Sequence, residues 1–247
     1  MTIQSASDLA GMRAVGKLVA LALQEMRAAA VPGMTTEQLD EIGAKFMRQR
    51  GARSAPQLTY DFPGFSCISV NDEIVHGVPG PRVLQPGDVL KIDVTAELDG
   101  FIADSAITVV LSPVTTTAHN LAQCAQTAFK KAMKVATAGT RVAELGRVVE
   151  AEVHRCGHAV VRDMCGHGVG RGLHEEPSVP NFYSSLTKGR LEDGMVIALE
   201  PIICEKPSAI LENDDGWTIR TANGCLAAHY EHTIVIREGH AEILTAA

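Results

Sequence analysis

The chain carries six cysteines, at 67, 124, 156, 165, 204 and 225, yet no pair is spaced C-x-x-C. Zinc-knuckle and thioredoxin-type readings fail on that spacing. Several of these cysteines sit in apolar runs, where a reduced thiol serves as a small hydrophobe. The opening stretch, MTIQSASDLAGMRAVGK, lacks the basic start and apolar core of a secretory signal. The segment LVALALQEMRAAAV is too short to span a bilayer and is interrupted by Gln24, Glu25 and Arg27. A soluble, cytoplasmic protein without a membrane partner is expected. Positive charge is not in excess either: the net charge is −7 and the pI about 5.7. Nucleic acid is therefore not expected as a primary ligand. Lys130, Lys131 and Lys134 read first as a solvated helix face, with transient ribosome contact as the lesser reading. No long heptad or sticky edge argues against a monomer.

What is present is ordinary globular composition. The 247 residues are 46% hydrophobic and 21% charged, enough for one large domain or two small ones. Four helices are expected from apolar spacing and punctuation. The first runs from about Ser7 to Ala30. The second follows Thr35, which has capping-box spacing to Gln38, and stops near Gly51. The third runs from about Thr117 to Gly139 and the fourth from about Arg141 to Gly157.

These segments repeat. PGMTTEQL (32–39) aligns with AGTRVAEL (138–145), and GDVLKID (87–93) with GMVIALE (194–200), at offsets of 106 and 107. DSAITVV (104–110) resembles EHTIVIR (231–237) at a larger offset, which an insertion around Trp217 would explain. The chain thus reads as a single domain, 1–247, made of two halves, about 7–112 and 117–240. Each half is helix, helix, strand, strand. An α+β fold is expected, with helices covering a mainly antiparallel sheet and a pseudo-twofold relating the halves.

The repeat gives meaning to an anomaly in LKIDVTAELDGFIADSAITVVL (90–111). Two β-branched runs flank the turn signal Asp99-Gly100, yet each carries an aspartate, Asp93 and Asp104, in an apolar setting. A two-residue loop sets Asp93 against Ala106, one diagonal step from Asp104. A loop centred one residue earlier sets the two acids opposite each other. Either way strand parity puts both on one face. Asp93 aligns with Glu200 and Asp104 with Glu231, each at a corresponding point of a strand. Taken singly, each acid is most simply an edge or water-facing residue. Taken together they predict four carboxylates converging at the centre, which must share protons or bind cations. The stretch MCGHGVGRGLHEEP adds His167 and His174 among glycines that permit close backbone approach. One histidine with four carboxylates is a mixed N/O set suited to Mn, Fe, Co or Zn. Five such side chains suit two divalent ions rather than one, a known hydrolytic arrangement.

The segments CISVNDEIVHGVP (67–79), LKIDVTAELDGFIADSA (90–106), CGHGVGRGLHEEP (165–177), GMVIALEP (194–201) and HYEHT (229–233) resemble the short bacterial methionine aminopeptidases. The resemblance covers almost the whole chain, from about Leu9 to Leu244. It implies the pita-bread fold and a hydrolase that uses two divalent metal ions. The implied reaction removes the initiator methionine from peptides and nascent chains, with preference for a small second residue. It further implies that Asp93 is a bidentate ligand of one ion and that Asp104 and Glu231 bridge. His167 and Glu200 complete the second ion's ligands, and Glu200 doubles as proton shuttle. His76 is implied to lie close to the substrate, and His174 to contact the scissile peptide. The methionine pocket is expected from Phe62, Cys67, Leu173 and Trp217, with Thr59 or Tyr60 less firmly aligned. Tyr60 and Phe65 read at least equally well as core. Leu173, standing before His174, departs from the aromatic often found there and bears on the strictness of methionine preference.

Three rival readings remain. Xaa-Pro aminopeptidases and prolidases share the fold but usually carry an extra N-terminal domain, whereas the first repeat helix here starts within about ten residues of Met1. A non-catalytic binding module should show gaps among the five ligand positions, and none is seen. A nucleic-acid or ribosome adaptor would want a basic face.

Overall fold

The computed structural model describes residues 1–246. Its first helix, α1 (Ala6–Ala29), is capped by Ser5, whose hydroxyl accepts from the Asp8 N–H. Met12, Val15, Val19, Leu23 and Met26 form its buried stripe. Thr35 and Gln38 close both arms of a capping box at the start of α2 (Thr36–Arg48). The two helices cross closely at Gly43, where a Cβ would stand 2.5 Å from Met26 Sδ. A short α3 (Ala55–Tyr60) was not expected. Its six residues are too few for apolar periodicity to register, and it ends at Asp61 in the left-handed region (φ 57°).

In the second half, α4 (Thr116–Met133) and α5 (Val142–Arg155) pack against each other around Leu121, Cys124, Ala128, Val149 and Val153. The third expected helix is shorter than its sequence pattern suggested. It ends at Met133, with Lys134 as its cap, six residues before Gly139. The predicted turn at Asp99-Gly100 is present, with both residues at positive φ (52° and 79°). It joins strands Val89–Leu98 and Phe101–Val110 in the two-residue register, so Asp93 faces Ala106 and Thr95 faces Asp104.

The larger sheets are two. One holds Arg53–Ser54, Cys67–Val70, Val89–Leu98 and Phe101–Val110. The other holds Cys165–Gly168, Glu175–Pro180, Val196–Leu199, His232–Arg237 and His240–Ile243. Every strand pairing among the described residues is antiparallel. One apolar core lies between α1, α2 and the first sheet, and a second between α4, α5 and the other. The sheets are stitched where their acid-bearing segments meet. Ala106 and Glu231 exchange backbone hydrogen bonds in both directions, and the Thr233 hydroxyl accepts from Asp104 N–H while donating to Asp104 C=O. The segment around Trp217 is an added hairpin: Ile210–Glu212 and Ile219–Thr221 pair with each other and then with Glu73–Val75. All six cysteines are unpaired thiols, and four of them are buried.

Candidate metal centre

Asp93 and Asp104 lie mid-strand, as their pattern implied. Glu200 and Glu231 do not. Glu200 directly follows Val196–Leu199, where Pro201 cannot donate to the ladder, and Glu231 directly precedes His232–Arg237. The stitch between Ala106 and Glu231 nevertheless carries all four carboxyls to one place. They line a cavity of about 500 Å³ together with His76, His167, His174 and His229. Glycines bring His167 in. At Gly166 a Cβ would meet Ala198 O at 2.4 Å, and at Gly168 it would meet Glu176 O at 2.2 Å. Only the bare backbone lets this strand sit so deep.

The electrostatics are those of a site built for cations. Asp104, Glu200 and Glu231 are buried, and Asp93 is partly so. Burial, then the charge of Asp104, raises the Asp93 carboxyl well above its ordinary value. Burial pushes Asp104 up to about 6 against the pull of the Thr95 hydroxyl, which donates to its Oδ1 at 2.8 Å. Glu200 and Glu231 are raised by burial first and by neighbouring carboxylates second. Among the described residues, Asp93 Oδ1, Glu200 Oε1 and Glu231 Oε1 are buried oxygens with no hydrogen-bond partner. Buried polar atoms are rarely left so. Three such oxygens around one space fit divalent cations.

His167 is oriented as a ligand. Its Nδ1 lies 2.9 Å from the Gly168 carbonyl, an acceptor only, so Nδ1 carries the proton and Nε2 turns its lone pair inward, 3.4 Å from Glu200 Oε1. Burial, then the nearby His174, lowers its pKa to about 4, so it is neutral at pH 7. His76 and His174 are the accessible histidines of the site. His76 holds a left-handed backbone (φ 57°), a strained choice for a side chain of its size, and Gly77 follows because a Cβ there would stand 2.3 Å from Ile68 O.

An apolar cavity of about 290 Å³ adjoins the first and shares His76, Asp93, Asp104 and His174 with it. Phe62, Cys67, Leu173 and Trp217 line it, as does Tyr60. Phe62 and Trp217 meet edge to face, with ring centroids 5.2 Å apart. Phe65 is instead a core residue, with the Arg48 guanidinium over its ring, and Thr59 is not in the wall. Tyr60 does more than line: its hydroxyl lies 2.6 Å from His174 Nδ1.

Sequence reasoning missed His229. It is 2% exposed, and its Nε2 lies 3.4 Å from Glu231 Oε2 and 3.7 Å from Glu200 Oε2. The signal was available, since residues 229 and 231 are two apart at a strand end and extended chain repeats every two. Burial, then the positive charge of His76, lowers its pKa to about 3. Thr95 and Asn181, whose amide donates to the Glu200 carbonyl at 2.8 Å, were also not foreseen; each supports an acid from an ordinary polar position.

Neutral imidazoles and four carboxyls, three of them with unpartnered buried oxygens, converge beside an apolar pocket, the donor set of a metal-dependent hydrolase. Residues 10–238 match the model of metallopeptidase family M24, and the chain belongs to that family. It is 43% identical over 247 residues to methionine aminopeptidase 2 of Bacillus subtilis, covering 99% of each chain. It is 36% identical over 243 residues to the methionine aminopeptidase of Clostridium perfringens, covering 98% of each. Among solved structures it superposes on methionine aminopeptidase from Thermotoga maritima with a TM-score of 0.96, at 34% identity over 100% of both chains. The fold is the pita-bread fold. Prolidase from Pyrococcus furiosus shares it at 20% identity with a TM-score of 0.81, and this chain covers 66% of that one.

Proposed function

We propose that this protein is a methionine aminopeptidase, a metal-dependent hydrolase that removes the N-terminal methionine from peptides and nascent proteins. The observation that carries the reading is the junction of two cavities. An apolar pocket adjoins the buried carboxylates, with His76 and His174 at the boundary. An unbranched thioether side chain suits a small pocket walled by Phe62, Cys67, Leu173 and Trp217. With the side chain there, the first peptide bond falls at the boundary, within reach of the acids.

Two divalent ions are proposed, which Asp93, Asp104, His167, Glu200 and Glu231 would hold. Such ions supply Lewis acidity and bring the pKa of water near neutrality. The chain's own groups do the rest. Glu200, whose enclosed carboxyl binds a proton more tightly than usual, takes the proton of the attacking water and returns it to the leaving amine. His174 donates from Nε2 to the carbonyl oxygen as charge develops there. His76 flanks the scissile bond at the mouth of the pocket. The acids face the free α-amine, which restricts cleavage to the first residue. The internal duplication, with halves 7–112 and 117–240, belongs to the same proposal and explains why each half contributes two of the acids. Monomeric state, cytoplasmic location, passing ribosome contact and preference for a small second residue complete it. Among the described residues no helix is long and apolar enough to cross a membrane.

The test is release of free methionine from a Met-Ala peptide by chelated protein, then by protein reconstituted in turn with Mn, Fe, Co and Zn, beside Glu200→Ala. Metal-dependent release that is lost in the variant is expected. A parallel Met-X series reads the second-residue preference, and a Leu-started peptide reads how far Leu173 loosens the pocket. Cleavage of a Xaa-Pro peptide with Met-Ala untouched would overturn the substrate assignment.

A further inference from the structure

His229 is the one buried histidine of the site with no stated task. Neither of its ring nitrogens has a hydrogen-bond partner among the described residues. Its approaches to Glu231 Oε2 (3.4 Å) and Glu200 Oε2 (3.7 Å) lack hydrogen-bond geometry. A buried imidazole left unpaired on both nitrogens is rare. The spacing has another explanation. Donor atoms on one tetrahedral ion, with bonds of about 2.1 Å, stand about 3.4 Å apart. His167 Nε2 and Glu200 Oε1 are separated by the same 3.4 Å.

The donor atoms fall into two sets, each mutually within 4.8 Å: Asp104, His167 and Glu231 in one, and Asp93, His229 and Glu231 in the other. Each set is two carboxylates and one imidazole, and Glu231 belongs to both. We infer that His229 is a sixth protein ligand of this centre, binding through Nε2 the ion on the Asp93 side as His167 binds the ion on the Asp104 side. The inference rests on the metallopeptidase reading above. The two imidazoles are not equally prepared. His167 has its Nδ1 proton anchored on Gly168, whereas His229 Nδ1 has no acceptor. Such an outer hydrogen bond orients a ligand and strengthens it. The Asp93-side ion is therefore the weaker of the two.

The test uses cobalt(II) as probe. In the proton NMR spectrum of the Co(II)-loaded protein, each ligating imidazole contributes one strongly shifted, solvent-exchangeable ring N–H. Two such signals are expected in the wild type, one lost in His229→Gln and the other in His167→Gln. Calorimetric titration of metal-free His229→Gln with Co(II) should leave one ion bound as before and weaken the other about 10- to 100-fold. A cobalt-loaded wild type in which no such signal belongs to His229, or a His229→Gln variant that binds both ions unchanged, overturns the assignment and leaves His229 a packing residue. The wild-type signals do not depend on whether the variant folds. If the wild type takes up no cobalt at all, the metallopeptidase reading fails first, and this inference with it.

Discussion

The Tyr60 hydroxyl lies 2.6 Å from Nδ1 of His174. Phenol is the stronger acid of the two neutral groups, so the hydroxyl donates and the ring proton is left on Nε2. That is the tautomer His174 needs to donate to a carbonyl oxygen. Tyr60 thereby acts through His174, from the end of a six-residue helix whose left-handed cap at Asp61 turns the chain toward Phe62. Tyr60→Phe is expected to lower kcat on a Met-Ala peptide about tenfold, with KM nearly unchanged. The side chain is substantially exposed, so the thermal midpoint should hardly move. Equal loss in kcat and in stability would make Tyr60 merely structural.

The wall of the apolar cavity offers a different kind of change. Trp217 is half-buried on the added hairpin and closes the pocket against Phe62. Asp215 holds the turn there by accepting from the N–H groups of Trp217 and Thr218, each at 2.8 Å. Trp217→Ala removes apolar contact that substrate and transition state share. It should raise KM about tenfold, roughly 1.4 kcal/mol of lost burial, and leave kcat nearly intact. The ratio of Met to Leu cleavage should fall in parallel. A fall in kcat at constant KM would mean that the hairpin positions the reacting bond instead.

How much of this was legible in the chain depends on whether the signal was local or periodic. Asp99-Gly100 announces the turn, and strand parity alone puts Asp93 and Asp104 on one face; of the two registers left open, the structure adopts the one that pairs Asp93 with Ala106. Thr35 and Gln38 likewise announce a helix start by spacing alone. The acids of the second half were harder. Repeat alignment placed them in strands, but Pro201 ends one ladder at Glu200 and the stitch to Ala106 precedes the next at Glu231. Helix α3 carries too few residues to show a period. The Tyr60–His174 contact joins positions 114 apart in sequence, and nothing in either stretch announces it. His229 was readable from strand parity, although its neighbours Tyr230 and His232 are polar too. Parity sets those two on the other face, where they meet Phe129, and burial confirms His229 on the side of Glu231.

The helix pair of the second half supplies a pH dependence independent of the metal centre. Glu152 of α5 is 1% exposed at its side chain and accepts from Lys131 of α4 and from Arg155, at 2.6 and 2.8 Å for the latter. The Arg155 hydrogen bonds, helped by Lys131, hold its carboxyl down at about 2 against burial. A depressed carboxyl contributes stability above its unfolded value, near 4.5, and loses it as pH falls through 2. Glu152→Gln should cost about 1–2 kcal/mol at pH 7. The gap between wild type and variant in thermal unfolding should shrink below pH 4.5. A gap that stays constant down to pH 3 would assign the loss to packing.

At the centre the sign reverses. Asp104 is raised to about 6, and Asp93, Glu200 and Glu231 are also raised by burial and mutual repulsion. The metal-free fold therefore holds protons that the unfolded chain has already released. Such groups stabilise the fold most below their unfolded values near 4, and the benefit drains away as pH climbs through the folded ones. Buried neutral histidines such as His167 and His229 give the opposite slope below about pH 6.5, where the unfolded chain charges them, so the thermal midpoint of chelated protein should fall between pH 7 and pH 8. His167, lowered to about 4, and His229, lowered to about 3, are neutral across that window and have no proton to give up. Any proton that a cation displaces must then come from a carboxyl. Calorimetry of Mn(II) binding at pH 6, run in two buffers of different ionisation heat, should report about one to two protons released per protein molecule. The loaded protein, its carboxylates compensated, should lose the downward slope above pH 7. Heats independent of buffer would mean that the four acids are already ionised in the empty site, and that repulsion among them is relieved by water rather than by shared protons.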